Sequence, residues 1–527
     1  MSYTPSPSVT GQIPLIMEVY EDEHLLLSSP DTKWYEIIKN FPWQDYREVA
    51  ALYYDALYHF NKTCVPPSSP PDTGNSEDKE SAKQRLLFDR PTMDKTVPVL
   101  YEPEFQKVPA RTVSPLSVAP GIVPQRPGGP KPKCFFAMFA AFLGVSIMGF
   151  EPVPGNVRFF LTSNPSFARV CGFISEGTDE SYWYRHIPCL RKIEQFDQIM
   201  TDYGLWNRVK LNEVRKNIEQ KIIEKENKIV GDTTHYYAYS GFETVVYTDE
   251  NGKEQRKSQS RMTKNCRCKD RDTCSHPWEM SDDGAGTIVK GCRKIIWGHK
   301  ASVVGLPQQG IPLDARCVAD AATHDSQTFF PHISALFDDF PELSPWFATA
   351  LYDSACDDPK LKQMFEDKFG IHLKTSLNPR RRKTVTENLP EFMDKLTPYG
   401  TLTCTAGYDM NFRGVRQDTE KFIYQAPVGD NNESVCSGCE YRTECTPLSS
   451  EGRTVTIPFS LLPHIDTDDP PMAARFRSDM KLRPSVERMI KRLKCDLSDD
   501  RLAKRGNASF QACLDKTMIA FHILLRQ

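Results

Sequence analysis

The chain lacks an overall basic charge. Its 66 Lys and Arg face 69 Asp and Glu, a formal net charge of −3, so any nucleic-acid surface must be local. It also lacks a clear membrane span. The run Cys134 to Phe150 (CFFAMFAAFLGVSIMGF) is apolar, but it is interrupted and shorter than the ~20 residues a span needs. It reads as a buried helix, and no membrane partner is expected. The first ten residues, MSYTPSPSVT, carry no secretory pattern. With 16 cysteines and no such leader, the expected setting is a reducing, cytoplasmic compartment. Clustered cysteines there are metal ligands or core residues rather than disulfides.

What is present is length and segmentation. The 527 residues suffice for three or more domains. Residues 1–64 contain a helical segment, Trp34 to Phe60, dense in aromatics. Residues 65–133 hold two Pro-rich linkers around a short segment, so residues 1–107 are expected to move independently or to tether a partner. Residues 134–228 read as helical: Asn164 and Pro165 open one helix and Gly172 stops it. Pro188 opens another, with Leu190, Ile193, Phe196 and Ile199 as its stripe. A charged helix follows over 205–228.

The period then changes. Residues 228–240, 287–306 and 311–319 read as strands, the first carrying Asp232. A helix opened by Asp325 follows, with Asp325 as its N-cap. Next come a strand over 347–352 ending at Asp353, a helix over 359–369 and a strand over 371–377. Three strands, helix, strand, helix, strand is the order of an RNase-H-like mixed sheet, here spanning 229–378. An insertion occupies 379–478, and residues 479–527 supply C-terminal helices. The fold class expected is α/β: an RNase-H-like core, an N-terminal helical region and a β-rich insertion lobe.

The stretch Met480 to Leu497 (MKLRPSVERMIKRLKCDL) organises the rest. Pro484 belongs in the first turn of a helix. Val486, Met489, Ile490, Leu493 and Leu497 form its apolar stripe. Glu487 and Lys494, seven residues apart, project from its shoulder, and Arg483 lies at its mouth. Arg483, three residues, Glu487, six residues, Lys494 resembles the Tyr-Arg-Glu-Lys signature of bacterial insertion-sequence transposases. Met480 stands where that signature has its Tyr. The resemblance runs from about Cys134 to the C-terminus, and short helices ahead of the core resemble the family's DNA-binding region.

The resemblance implies a DDE transposase, a metal-dependent enzyme of DNA transposition and recombination that cleaves element ends and transfers strands. Asp232, Asp353 and Glu487 would be its catalytic carboxylates, binding Mg²⁺ or Mn²⁺ as hard oxygen ligands. Its partner would be double-stranded DNA, as element ends and target. It would act as a homodimer on DNA, associated with the nucleoid of a prokaryotic cell. Arg483 and Lys494 are expected to hold phosphate rather than metal, so Arg483→Ala should leave the Mg²⁺ requirement unchanged. Arg380, Arg381, Arg382 and Lys491 are further DNA-binding candidates. A domesticated relative that binds DNA without cutting it and a simple RNase-H-like nuclease are the competing readings.

Two cysteine clusters stand apart from this chemistry. Cys436-x-x-Cys439 with Cys445, and Cys404 as fourth ligand, has the spacing of structural zinc in the insertion. Cys266-x-Cys268 with Cys274, His276 and Cys292 is less regular and offers a possible second zinc between the first two strands.

Overall fold

The computed structural model describes residues 33–63, 98–108, 112–124, 133–174, 180–248, 252, 254–264, 268, 273–282, 284–290, 294–378, 382–429, 433–446 and 452–527. The fold is mixed α/β, built round one curled sheet. Its strands are β1 (Lys228–Tyr237), β2 (Lys294–Leu306), β3 (Ile311–Cys317), β4 (Thr349–Tyr352) and β5 (His372–Thr375). In space they run β3-β2-β1-β4-β5. β1, β2 and β3 pair antiparallel, whereas β4 and β5 run parallel to β1. Helix α1 (Phe329–Asp339) connects β3 to β4, and α2 (Pro359–Phe369) connects β4 to β5. Parallel neighbours need such crossovers.

Close packing sets the shape of β1. A Cβ on Gly231 would come within 2.4 Å of the Phe329 ring, so only glycine lets α1 lie so near the strand. The expected strand over 287–306 is instead a hairpin. Gly286–Lys290 pairs back antiparallel onto Lys294–Gly298, so the run holds two strands rather than one. The helix after β3 also starts differently. His324 caps a 3₁₀ turn over Asp325–Gln327, and the α-helix begins at Phe329.

Helices α3 (Ser485–Lys491) and α4 (Asn507–Leu524) complete the core. Val486 and Met489 of α3 bury against Val230 of β1 and Leu351 of β4. The helix does not run straight to Leu497: it passes into a π-helical turn over Arg492–Asp496. Even so, Leu493 and Leu497 stay buried. α4 lies beside β3, where Gln511 accepts from Cys317 N at 2.8 Å and donates to Ala315 O at 3.1 Å. That side chain satisfies backbone groups a further strand would otherwise take.

The N-terminal helices share this core. Phe135–Ile147 is buried nearly all round, and among the described residues no helix is long and apolar enough to cross a membrane. Tyr53 of Arg47–Thr63 packs its ring at a tilt against Phe135 and Phe196, and the Tyr54 hydroxyl accepts from Phe135 N at 2.9 Å. Residues 33–63 therefore do not form a separate body, contrary to the independence expected for 1–107. Their aromatics enter the same apolar cluster as Phe135, Phe196 and Trp206. Buried charge joins the layers as well: Lys210 lies 2.8 Å from Asp314 on β3 and 3.1 Å from Asp515 on α4.

The insertion is β-rich. Asn411–Arg416, Lys421–Gln425 and Thr454–Pro458 form an antiparallel sheet over a cluster that includes Leu396, Phe422, Tyr424 and Ile457.

Candidate active site at strands β1 and β4

Register brings two carboxylates together. Val230 of β1 pairs with Leu351 of the parallel β4. Two residues further on come Asp232 and Asp353. Asp353 keeps an extended backbone, and its carboxylate caps the next turn, accepting from Ala355 N at 2.9 Å. Alternation carries both side chains to the face already occupied by Val230 and Leu351. α3 packs on that same face. Asp479, just before it, takes Lys228 of β1 at 3.3 Å and Lys374 of β5 at 2.6 Å, tying the approach to α3 onto the sheet.

Arg483 closes the arrangement. Its Nη2 donates to Asp232 Oδ2 at 2.6 Å and its Nη1 to Glu487 Oε1 at 2.9 Å. The Asp232 and Arg483 side chains are each 17% exposed, while Glu487 is 62% exposed. One guanidinium thus bridges β1 and α3. The i,i+4 pair within the helix exists as helix geometry allows, but Arg483 also reaches a carboxylate 251 residues away in the chain.

The site carries more negative charge than that one cation offsets. Burial pushes the Asp232 carboxyl up to about 6, and the charges of Asp353 and Asp325 add to the rise, against Arg483 and the Thr233 N–H. The Cys356 thiol is raised for the same reasons: burial first, then Asp353, Asp325 and Asp232. Asp325 is a fourth acid here, and sequence reasoning assigned it to a helix cap instead. Its carboxylate takes Lys300 at 2.9 Å. Burial alone would raise its pKa, but Lys300 overcomes that and the net shift is downward. Lys300, on a strand paired with β1, was the missing signal, because nothing in the sequence distinguishes it from a solvated lysine.

The other expected DNA contacts are divided. Lys491 is exposed on α3. Lys494 is held otherwise: its amine donates to the His235 carbonyl of β1 and sits 5.2 Å from the Tyr236 ring centre. The π turn displaces it from the seven-residue alignment with Glu487. Arg382 ion-pairs with the Asp357 carboxylate at 2.8 Å. Arg380 and Arg381 lie outside the described residues.

The two cysteine clusters differ in geometry. Cys404, Cys436, Cys439 and Cys445 line one cavity of the insertion lobe. Burial raises the Cys445 thiol, with Cys436 and Cys404 contributing against Arg453. Among the described residues, however, only Cys268, Cys274 and His276 bring donor atoms within 4.8 Å of one another. Cys266 and Cys292 lie outside the described residues.

No family model matches the chain, and no curated protein matches it. Among solved structures it is similar to a piggyBac transposase in a synaptic complex with hairpin DNA, at 9% identity and a TM-score of 0.32, over 76% of this chain and 69% of that one. A likeness of that size fixes neither fold nor activity.

Proposed function

We propose that the chain is a DDE-type DNA transposase with an RNase-H-like core. It would cleave the ends of its element and join them to target DNA. The observation that carries this reading is the gathering of Asp232, Asp353 and Glu487 on one face, with a single guanidinium, Arg483, bridging two of them. Burial and the neighbouring charges of Asp353 and Asp325 raise the Asp232 carboxyl to about 6, so a cation that offsets this group of acids is favoured.

The donor type suits Mg²⁺ or Mn²⁺: carboxylate oxygens, with Glu487 open to solvent. When bound, such ions activate the attacking oxygen and stabilise the leaving one in an in-line displacement. The chain's own residues do the rest. Asp232 is fixed by strand pairing and Asp353 by the turn its carboxylate caps, and together they preset the geometry. Glu487, on a helix rim, adjusts to close the set. Arg483 releases its carboxylates and turns to the substrate phosphate, joined by Lys491 from the exposed side of α3 and by Arg380 and Arg381.

Asp232→Asn, Asp353→Asn and Glu487→Gln should each abolish Mg²⁺-dependent cleavage of plasmid DNA while leaving duplex binding nearly intact. Full cleavage by any one variant removes that residue from the site. Duplex binding by the wild type with no cleavage in Mg²⁺ or Mn²⁺ would favour a transposase-derived DNA-binding protein instead.

A further inference from the structure

Between β1 and β2 the chain leaves the sheet. Phe242–Thr248 and Glu254–Ser260 form a two-stranded ribbon. Beyond it, Met262 and Thr263 pair with Met280 and Glu279. This short ladder closes a loop over 264–278, KNCRCKDRDTCSHPW. The loop contains no aliphatic side chain. Its one aromatic, Trp278, has the Lys264 amine 5.3 Å from its ring centre, and the same amine donates to the Cys274 carbonyl. Apolar burial cannot fix such a loop, and a two-residue ladder is a weak closure.

The loop's donor atoms do converge. Cys268 Sγ, Cys274 Sγ and a ring nitrogen of His276 lie within 4.8 Å of one another, and Cys268 Sγ is 3.6 Å from His276 Nδ1. In a tetrahedral site with Zn–S of about 2.3 Å and Zn–N of about 2.0 Å, the S···N edge is about 3.6 Å. We infer that Cys268, Cys274 and His276 bind a zinc ion that fixes the 264–278 loop. Two thiolates and an imidazole are soft and borderline donors, which select Zn²⁺ over the hard cations suited to carboxylates. Solvent or a further donor takes the fourth position. The site is separate from the carboxylate cleft and stands whether or not that cleft cuts DNA.

The test uses the full chain, purified under reducing conditions without chelator. Native alkylation with iodoacetamide, read by peptide mass spectrometry, should modify Cys268 and Cys274 at least about tenfold faster once a zinc chelator is added, because a metal-bound thiolate is withheld from the reagent. Zinc analysis should show about one equivalent less in Cys274→Ser and in His276→Ala than in the wild type. Cys436→Ser should leave the protection of Cys268 and Cys274 intact, which separates this site from the insertion lobe. Equal alkylation of Cys268 and Cys274 with and without chelator overturns the inference, and that comparison needs no variant to fold. Unchanged zinc in both variants, or a Cys268–Cys274 disulfide in the reduced preparation, overturns it as well.

Discussion

Arg483 occupies the charge that a divalent ion would supply. Its 2.6 Å contact with Asp232 is shielded, both side chains being 17% exposed. A charge-assisted hydrogen bond of that kind contributes about 1.5–3 kcal/mol. The contact with Glu487, which is 62% exposed, adds no more than about 1 kcal/mol. A metal entering between Asp232 and Glu487 must displace the guanidinium and works against these contacts. Arg483→Ala removes the competitor. The concentration of Mn²⁺ or Mg²⁺ at half-saturation should fall by about 10- to 100-fold, at 1.4 kcal/mol per decade. Titration calorimetry on DNA-free protein at pH 8 measures this: wild-type Asp232, pushed up to about 6, is ionised there, and the further rise that loss of the Arg483 charge causes in the variant works against the expected drop, so it cannot produce one. At saturating metal the variant should still cleave about 10- to 100-fold more slowly, having lost its phosphate contact. Metal midpoints that agree within about threefold would refute the competition. The sequence pattern suggested no change in metal requirement, and the bridge to Asp232 reverses that expectation.

Asp232 should also set a pH dependence of unusual sign. Its folded pKa of about 6 exceeds the ~3.9 of an unfolded aspartate. The folded chain therefore binds the extra proton between those values, and the metal-free protein should gain about 1–3 kcal/mol from this group as pH falls from 7 to 4. Melting temperatures across that range should show the gain in wild type and not in Asp232→Asn; parallel curves would remove the shift. Lys210→Met strands two buried carboxylates, Asp314 and Asp515, and should cost about 3–5 kcal/mol in urea unfolding. A loss below about 1 kcal/mol would show that Arg316 suffices for both. Lys494→Ala should lower stability by about 1–2 kcal/mol through the His235 carbonyl while leaving duplex affinity within about twofold. Weakened DNA binding at an unchanged melting temperature would return Lys494 to phosphate.

Much of the carboxylate cleft was legible because strand order and alternation are local signals with non-local consequences. Asp232 and Asp353 read as strand residues, and the parallel pairing of β1 with β4 makes them neighbours. The stripe Val486, Met489, Leu493 predicted the buried side of α3. What stayed hidden depends on tertiary partners. The π turn that redirects Lys494 leaves no mark in a hydrophobic pattern. Asp325 looks like a cap until Lys300 is beside it. The run 287–306 reads as one strand, and its division into two paired strands shows only in the register. The cysteines make a similar point. Regular spacing favoured Cys436 and Cys439, yet convergence at Cys268, Cys274 and His276 depends on a two-residue ladder that spacing does not encode.

The Gln511 contact with β3 has a consequence for biosynthesis. Cys317 and the side chain that satisfies its amide are 194 residues apart. At roughly 5–20 residues per second, a ribosome needs about 10–40 s to travel from one to the other. Throughout that interval β3 has emerged but its guard has not been made, and Lys210 and Asp314 wait for Asp515. The sheet edge is then open to other nascent chains. Slowing synthesis within 380–500 should therefore raise the insoluble fraction, and supplying residues 500–527 in trans should lower it.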